Sequence, residues 1–197
     1  MKTFEVELTG RTALMHHRMT EEAVLSLLGP KGGKKKSGKA EKLPREIAEE
    51  HAYKTKEGLF YIPLDYVSGA FKHVASDYKQ TTGKKSYKAI AGGIFRPVEF
   101  SAILTDHKNK PLKDFEVDIR KATNHQAGAV IVCRPRFDEW KVKFNIEIDD
   151  TLIAPEVAQD ILEDSGKRAG IGSFRVAKSG YYGQYNVTAW TERKNKE

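Results

Sequence analysis

"WKVKFNIEIDDTLIAPEVAQDILEDSGK" runs from Trp140 to Lys167, and its periodicity changes halfway. Trp140, Val142, Phe144, Ile146 and Ile148 alternate with polar residues, the spacing of two that turns one face of a β-strand toward a core. Beyond Asp149 the pattern changes to that of a helix over 154–167, with Val157, Ile161 and Leu162 on one side and Gly166 placed like a C-cap. The next stretch, "AGIGSFRVAKSGYYGQYNV" (169–187), sets Gly170, Gly172, Gly180 and Gly183 among Arg175, Lys178 and four aromatic residues. It leads into a strand-like "YNVTAW" at 185–190.

Working outward, "TFEVELTG" (3–10) alternates Phe4, Val6 and Leu8 against polar residues and predicts a half-buried strand. "FYIPLDYVSGAFKHVASDY" (60–78) passes through Pro63 into a helix with Val67, Ala70, Phe71 and Val74 on one side. "GGIFRPVEFSAIL" (92–104) reads as strand. "FEVDIRKATNHQAGAVIVCRPRF" (115–137) reads as strands at 115–120 and 129–134 joined by a polar tip holding Asn124 and Gly128. Strand, helix, strand, hairpin, strand, helix, strand predicts an α+β fold. The arrangement is a ferredoxin-like or RRM-like antiparallel sheet with insertions, a scaffold that presents RNA to its sheet face or adjoining loops. The expected organisation is one domain over 1–197 with a mobile basic loop at 29–45 and a hairpin insertion at 115–135.

At 197 residues and 39% apolar composition, the chain suits a globular protein with one sizeable core or two small ones. No apolar run exceeds about eight residues, short of the roughly 18 needed to span a bilayer, so no membrane is expected as a partner. "MKTFEVELTG" lacks the features of a secretion signal, and Cys133 is the single cysteine. A cytoplasmic protein follows as the expectation.

The charge of +7 is uneven. "GPKGGKKKSGKAEKLPR" (29–45) holds seven Lys or Arg, Lys34, Lys35 and Lys36 among them, against one Glu. Such a segment is either a solvated loop or an arm that follows a polyanion. Lys79, Lys84, Lys85, Lys88 and Arg96 form a second basic group. "GKKKSGKA" (33–40) misses the P-loop because Ala40 stands where Ser or Thr should hold magnesium and a helical segment precedes it. The glycine stretch misses the dinucleotide fingerprint, since Arg175 replaces the third glycine and a helix precedes it. No cofactor is expected.

In the order of these signals the chain resembles the RAMP superfamily, in particular the Cas-seven-like backbone subunits that coat guide RNA in CRISPR effector complexes. "YIPLDYVSGAFKHVA" (61–75) is similar to that family's I-P-x-x-x-x-x-G-x-h-(K/R) segment. "VDIRKATNHQAGAVIVCRPRFDEWKVKFNIEI" resembles its thumb hairpin and following strand, and "GIGSFRVAKSGYYGQYNV" its C-terminal glycine-rich loop. The resemblance implies partners: a single-stranded guide RNA, other subunits of a CRISPR effector complex, and further copies of the chain stacked head to tail. It implies that Ser68, Lys72, Arg18 and the basic arm lie at RNA. Gly170, Gly172, Gly180 and Gly183 would let phosphates approach main-chain N–H groups, with Arg175 and Lys178 supplying charge. Tyr181 and Tyr182 suit base stacking, whereas Phe174 reads better as a core residue. Arg134 and Arg136 flank Pro135, where they would either grip phosphate or pair with Asp138 or Glu139.

"LMHHRM" (14–19) follows the first strand and resembles the histidine position of guide-RNA-processing endoribonucleases of the same superfamily, which makes His16 or His17 the alternative catalytic residue. Adjacent strand residues face opposite ways, so one of the two at most could serve. Target-cleaving backbone subunits carry an aspartate after the first strand; here no Asp precedes Asp65, and the resemblance implies binding without cleavage. The six histidines are scattered and predict no metal site.

Overall fold

The computed structural model of the protein describes residues 1–28, 42–80, 83, 85–124 and 128–193. Most of the 29–45 arm, including Lys34, Lys35 and Lys36, lies outside them, as do Lys84 and the hairpin tip at 125–127.

The alternating segments find each other. β1 (Lys2–Gly10) pairs antiparallel with β8 (Lys141–Ile148), in a register that sets Phe4 opposite Ile146, Val6 opposite Phe144 and Leu8 opposite Val142. Both apolar sets therefore enter one core. β9 (Tyr185–Arg193) joins the other side of β1, and β4 (Phe95–Pro97) joins β8, giving the order β4-β8-β1-β9. α3 (Asp65–Val74) connects β1 to β4 and α5 (Pro155–Arg168) connects β8 to β9. That order and those crossovers make the βαββαβ antiparallel sheet of a ferredoxin-like α+β fold.

α3 buries Val67, Ala70, Phe71 and Val74, spaced along one helical face, and Phe71 stacks on Phe95 with ring centroids 4.2 Å apart. α5 buries Ala158, Ile161, Leu162, Ser165 and Gly166. Gly166 is not the cap expected of it. The helix continues to Arg168, and a Cβ on Gly166 would sit 2.1 Å from the Tyr185 carbonyl oxygen, so glycine here lets α5 close onto β9.

The first insertion contains β2 (Leu14–Met15), α1 (Glu21–Leu28), α2 (Pro44–Glu50) and β3 (Tyr61–Pro63). The span expected to be a single strand at 92–104 is instead a short helix α4 (Ala91–Ile94), then β4, a bend, and β5 (Ser101–Ile103) in another sheet paired with β3. The hairpin is longer than expected: β6 (Glu116–Asn124) and β7 (Gly128–Phe137) pair along their length, and β2 adds to β7. Phe60, Phe115 and Phe137 knit these insertions to the main core.

The sheet face turned away from the helices is a ladder of ion pairs. Glu7 meets Lys141 at 2.9 Å, Glu5 meets Lys143 at 2.6 Å, and Arg193 also reaches Glu5. With its charges already matched, that face is a poor surface for a polyanion or for base stacking.

Candidate nucleic-acid interface

α3 and the glycine-rich loop form the walls of a cleft of about 320 Å³. Tyr66, Gly69 and His73 line it from the helix, and Gly172, Arg175 and Lys178 from the loop, with Asp65 the carboxylate at its edge. Ser68 and Lys72 lie on the neighbouring helix face, and Lys72 is exposed. Tyr66 and His73 were not among the residues expected from the sequence; helical spacing from Gly69 identifies them, being three residues before it and four after it.

The loop is held by its own backbone. A Cβ on Gly183 would lie 1.8 Å from the Ile171 carbonyl oxygen, one on Gly180 1.7 Å from that of Phe174, and one on Gly172 2.5 Å from that of Met15. Gly170 donates its N–H to Ser165, Gly180 to Arg175 and Gly183 to Ala13. Glycine is therefore required at these places because the chain passes close to itself, and the N–H groups of Gly170, Gly180 and Gly183 are already spent inside the protein. This corrects the expectation that they face phosphates. Gly69 is the opposite case: it is exposed, mid-helix, and nothing lies within 4 Å of where its Cβ would be. A helical glycine there costs about 0.5–1 kcal/mol relative to alanine and keeps the cleft floor bare.

The aromatics are sorted by the hairpin. Arg120 chelates Asp118 and reaches the Tyr182 hydroxyl, while its guanidinium lies 4.6 Å from the Tyr182 ring centroid and 5.2 Å from that of Phe174. Tyr181 stacks on Tyr182 at 4.3 Å. Tyr182 is 7% exposed with its ring thus engaged, which removes it as a base-stacking residue; Tyr181, 62% exposed, keeps an open surface. Phe174 is half-buried at φ +52° against Arg120 and is not a core residue.

The remaining candidates separate as clearly. Arg136 forms a two-point ion pair with Asp138 (2.7 and 3.1 Å). Arg134 is buried, and its Nε and Nη1 have no hydrogen-bond partner. Arg18 faces a hollow shared with Lys42 and with Glu21, Glu22 and Glu50, where carboxylates outnumber cations and do not favour a polyanion. Arg175 is half-buried and donates to the Gly172 carbonyl at 3.2 Å, while Lys178 is exposed. Arg96 pairs with Glu147 at 3.3 Å.

His16 is wholly buried, packs on Phe137 and accepts the Tyr53 N–H at Nδ1, and burial pushes its pKa down to about 3. It cannot meet a substrate, which corrects its candidacy as a catalytic residue. His17 is exposed, 5.5 Å from the His51 ring. Desolvation, then the charge of Arg134, then His51 push it down to about 4. Among the described residues no group of three or more His, Cys, Asp or Glu is placed to hold a metal, and no helix is long and apolar enough to cross a membrane.

No family model and no curated protein matches the sequence. Among solved structures, the fold is similar to a chain in the cryo-EM structure of the type III-B Cmr-beta bound to cognate target RNA, with a TM-score of 0.58 and 16% identity. The alignment covers 98% of this chain and 61% of that one, so this chain spans less than two thirds of the length of its structural neighbour.

Proposed function

We propose that the protein is an RNA-binding subunit of a CRISPR-type ribonucleoprotein, one that coats single-stranded guide RNA head to tail without catalysis. The observation that carries this reading is the cleft between α3 and the glycine-rich loop, with a floor left bare at Gly69 and Arg175, Lys178 and His73 along its walls. A strand of phosphates fits such a groove, and Tyr181 at the loop's surface offers a ring for one base. The fold supports it, being shared with a chain of a complex bound to target RNA. Head-to-tail stacking needs two unlike surfaces on each copy. Ile119 and Ile131, both exposed on one face of the hairpin, suit the part that a neighbouring copy covers. Native mass spectrometry with single-stranded RNAs of increasing length tests the reading: mass rising in regular steps supports it, and one constant dimer mass contradicts it.

His17 beside His51 favours a second reading, metal-independent endoribonuclease activity on repeat RNA. His17 is neutral at pH 7 and so able to accept a proton, although its lowered pKa makes it a weaker base than an ordinary imidazole. Cleavage of labelled repeat RNA in EDTA, lost in His17→Asn, would establish it in place of coating alone.

A further inference from the structure

Arg134 presents an unbalanced charge. It is 7% exposed, and its Nε and Nη1 are closed off from solvent and from every hydrogen-bond partner. A guanidinium stays protonated and offers five donors, so burying one without an anion is among the costliest arrangements a protein can hold. The carboxylate directly across the hairpin is Asp118, but Arg120 chelates it and Arg136 approaches it at 3.8 Å. Among the described residues Arg134 has no ion pair.

Besides Asp118, the titratable side chains that act on the charge of Arg134 are those of Tyr66 and Cys133. β2 sets Met15 opposite Arg136, the His16 N–H continues the pairing by donating to the Pro135 carbonyl at 3.1 Å, and His17 follows within reach of the Arg134 charge. His51, just past α2, supplies a second ring 5.5 Å from His17. It is pinned by reciprocal bonds: its Nδ1–H donates to the Arg18 carbonyl at 2.8 Å and the Arg18 N–H donates to its own carbonyl at 2.9 Å. Nε2 is left as its titrating nitrogen. From α3, Tyr66 feels the charges of both Arg134 and Arg175 and shares a hydroxyl bond with Tyr53; on α2, Glu50 is the carboxylate whose charge reaches His51.

We infer that Arg134, with His17 and His51 beside it, is a seat for one phosphate-class anion, and that filling the seat is coupled to protonation of the two imidazoles. The inference rests on the RNA reading only for the identity of the anion, a phosphodiester of the bound strand. In the empty protein, desolvation and the charge of Arg134 hold His17 near 4 and His51 below its ordinary value. An anion on Arg134 cancels that repulsion, and both pKa values rise. Groups whose pKa is higher in the complex take up protons on binding, so affinity grows as pH falls from the bound-state toward the free-state pKa. Each histidine that protonates contributes up to about tenfold per pH unit.

The test is an NMR titration of the His17 and His51 rings in sodium chloride and then in dimethyl phosphate at equal ionic strength, the latter a diester that stays a monoanion throughout. A second arm uses a short single-stranded RNA. In the wild-type protein both midpoints rise with dimethyl phosphate; in Arg134→Met they begin higher without it and no longer move. Should Arg134→Met fail to fold, His17→Asn/His51→Gln serves instead, and RNA affinity that tightens on acidification in the wild type is flat in the double variant. Wild-type midpoints that ignore dimethyl phosphate, equal movement in Arg134→Met, or equal tightening in the double variant overturn the seat. Dimethyl phosphate moving the midpoints while RNA does not bind upholds the seat and refutes the RNA reading. RNA binding unchanged in Arg134→Met with silent histidines refutes the seat and leaves the RNA reading standing.

Discussion

Replacing Gly183 with alanine places a methyl group 1.8 Å from the Ile171 carbonyl oxygen, in backbone held at φ +68°. The left-handed conformation alone costs an L-residue about 1–2 kcal/mol. No carbon tolerates a backbone oxygen that close, so the two segments must part. The bonds between Ile171 N–H and the Gly183 carbonyl (2.9 Å) and between Gly183 N–H and the Ala13 carbonyl (2.8 Å) stretch or break. At about 1 kcal/mol net for each bond, the total reaches about 3–4 kcal/mol. For a chain of this size about 2–4 °C of Tm accompanies each kcal/mol, so the variant should melt on the order of 10 °C lower. Gly69→Ala is the counterpart: its methyl meets nothing within 4 Å, the helix gains about 0.5–1 kcal/mol, and Tm rises by about 2 °C. Calorimetric melting of the two variants decides the matter. A Gly183→Ala protein that melts within about 2 °C of the wild type, against the larger shift expected, would refute the claim that the loop's glycines are required by the chain itself.

Other outcomes follow from the same geometry. Burial holds His16 near a pKa of 3, so the unfolded chain binds its proton first; stability is complete above about pH 6.5 and falls below it by up to about 1.4 kcal/mol per pH unit. Denaturant unfolding at pH 7 and pH 5 should therefore differ by about 2 kcal/mol from this residue, and equal stabilities would contradict its burial. Binding to single-stranded RNA should weaken with salt at a slope near −4 if five or six phosphates are contacted, and affinity indifferent to salt would argue against phosphate contact. Shortening the hairpin across 121–128 should reduce stepwise assembly on long RNA in light scattering while leaving binding of one copy intact; unchanged growth would remove the hairpin from the assembly surface.

The ferredoxin-like frame was legible because each of its main elements carries its own period: β1 and β8 alternate, while α3 and α5 keep their apolar residues on one face. Residues 92–104 were not, since β4 and β5 share an apolar composition yet belong to different sheets, and only their partners, Ile148 across from β4 and Tyr61 across from β5, separate them. Within the candidate site, Gly172, Arg175 and Lys178 were named from the sequence, and all three line the cleft. The roles of Gly183 and Gly166 were not legible, because a glycine needed for self-contact and one needed for a ligand look alike until the facing atom is known. Tyr182 and Arg134 show the same limit. Arg120 occupies both the tyrosine ring and Asp118, so one residue on the hairpin, 62 positions from Tyr182, withdraws a stacking surface and leaves Arg134 without its anion.

The central claim is that phosphates of single-stranded RNA lie in the cleft between α3 and the glycine-rich loop. Fluorescence anisotropy across a salt series, for the wild type and for Arg175→Gln/Lys178→Gln, tests it most directly. With two phosphate contacts removed, the folded variant should bind more weakly and its salt slope should be shallower by about 1.4. Equal affinity and an unchanged slope in the folded variant would contradict the claim.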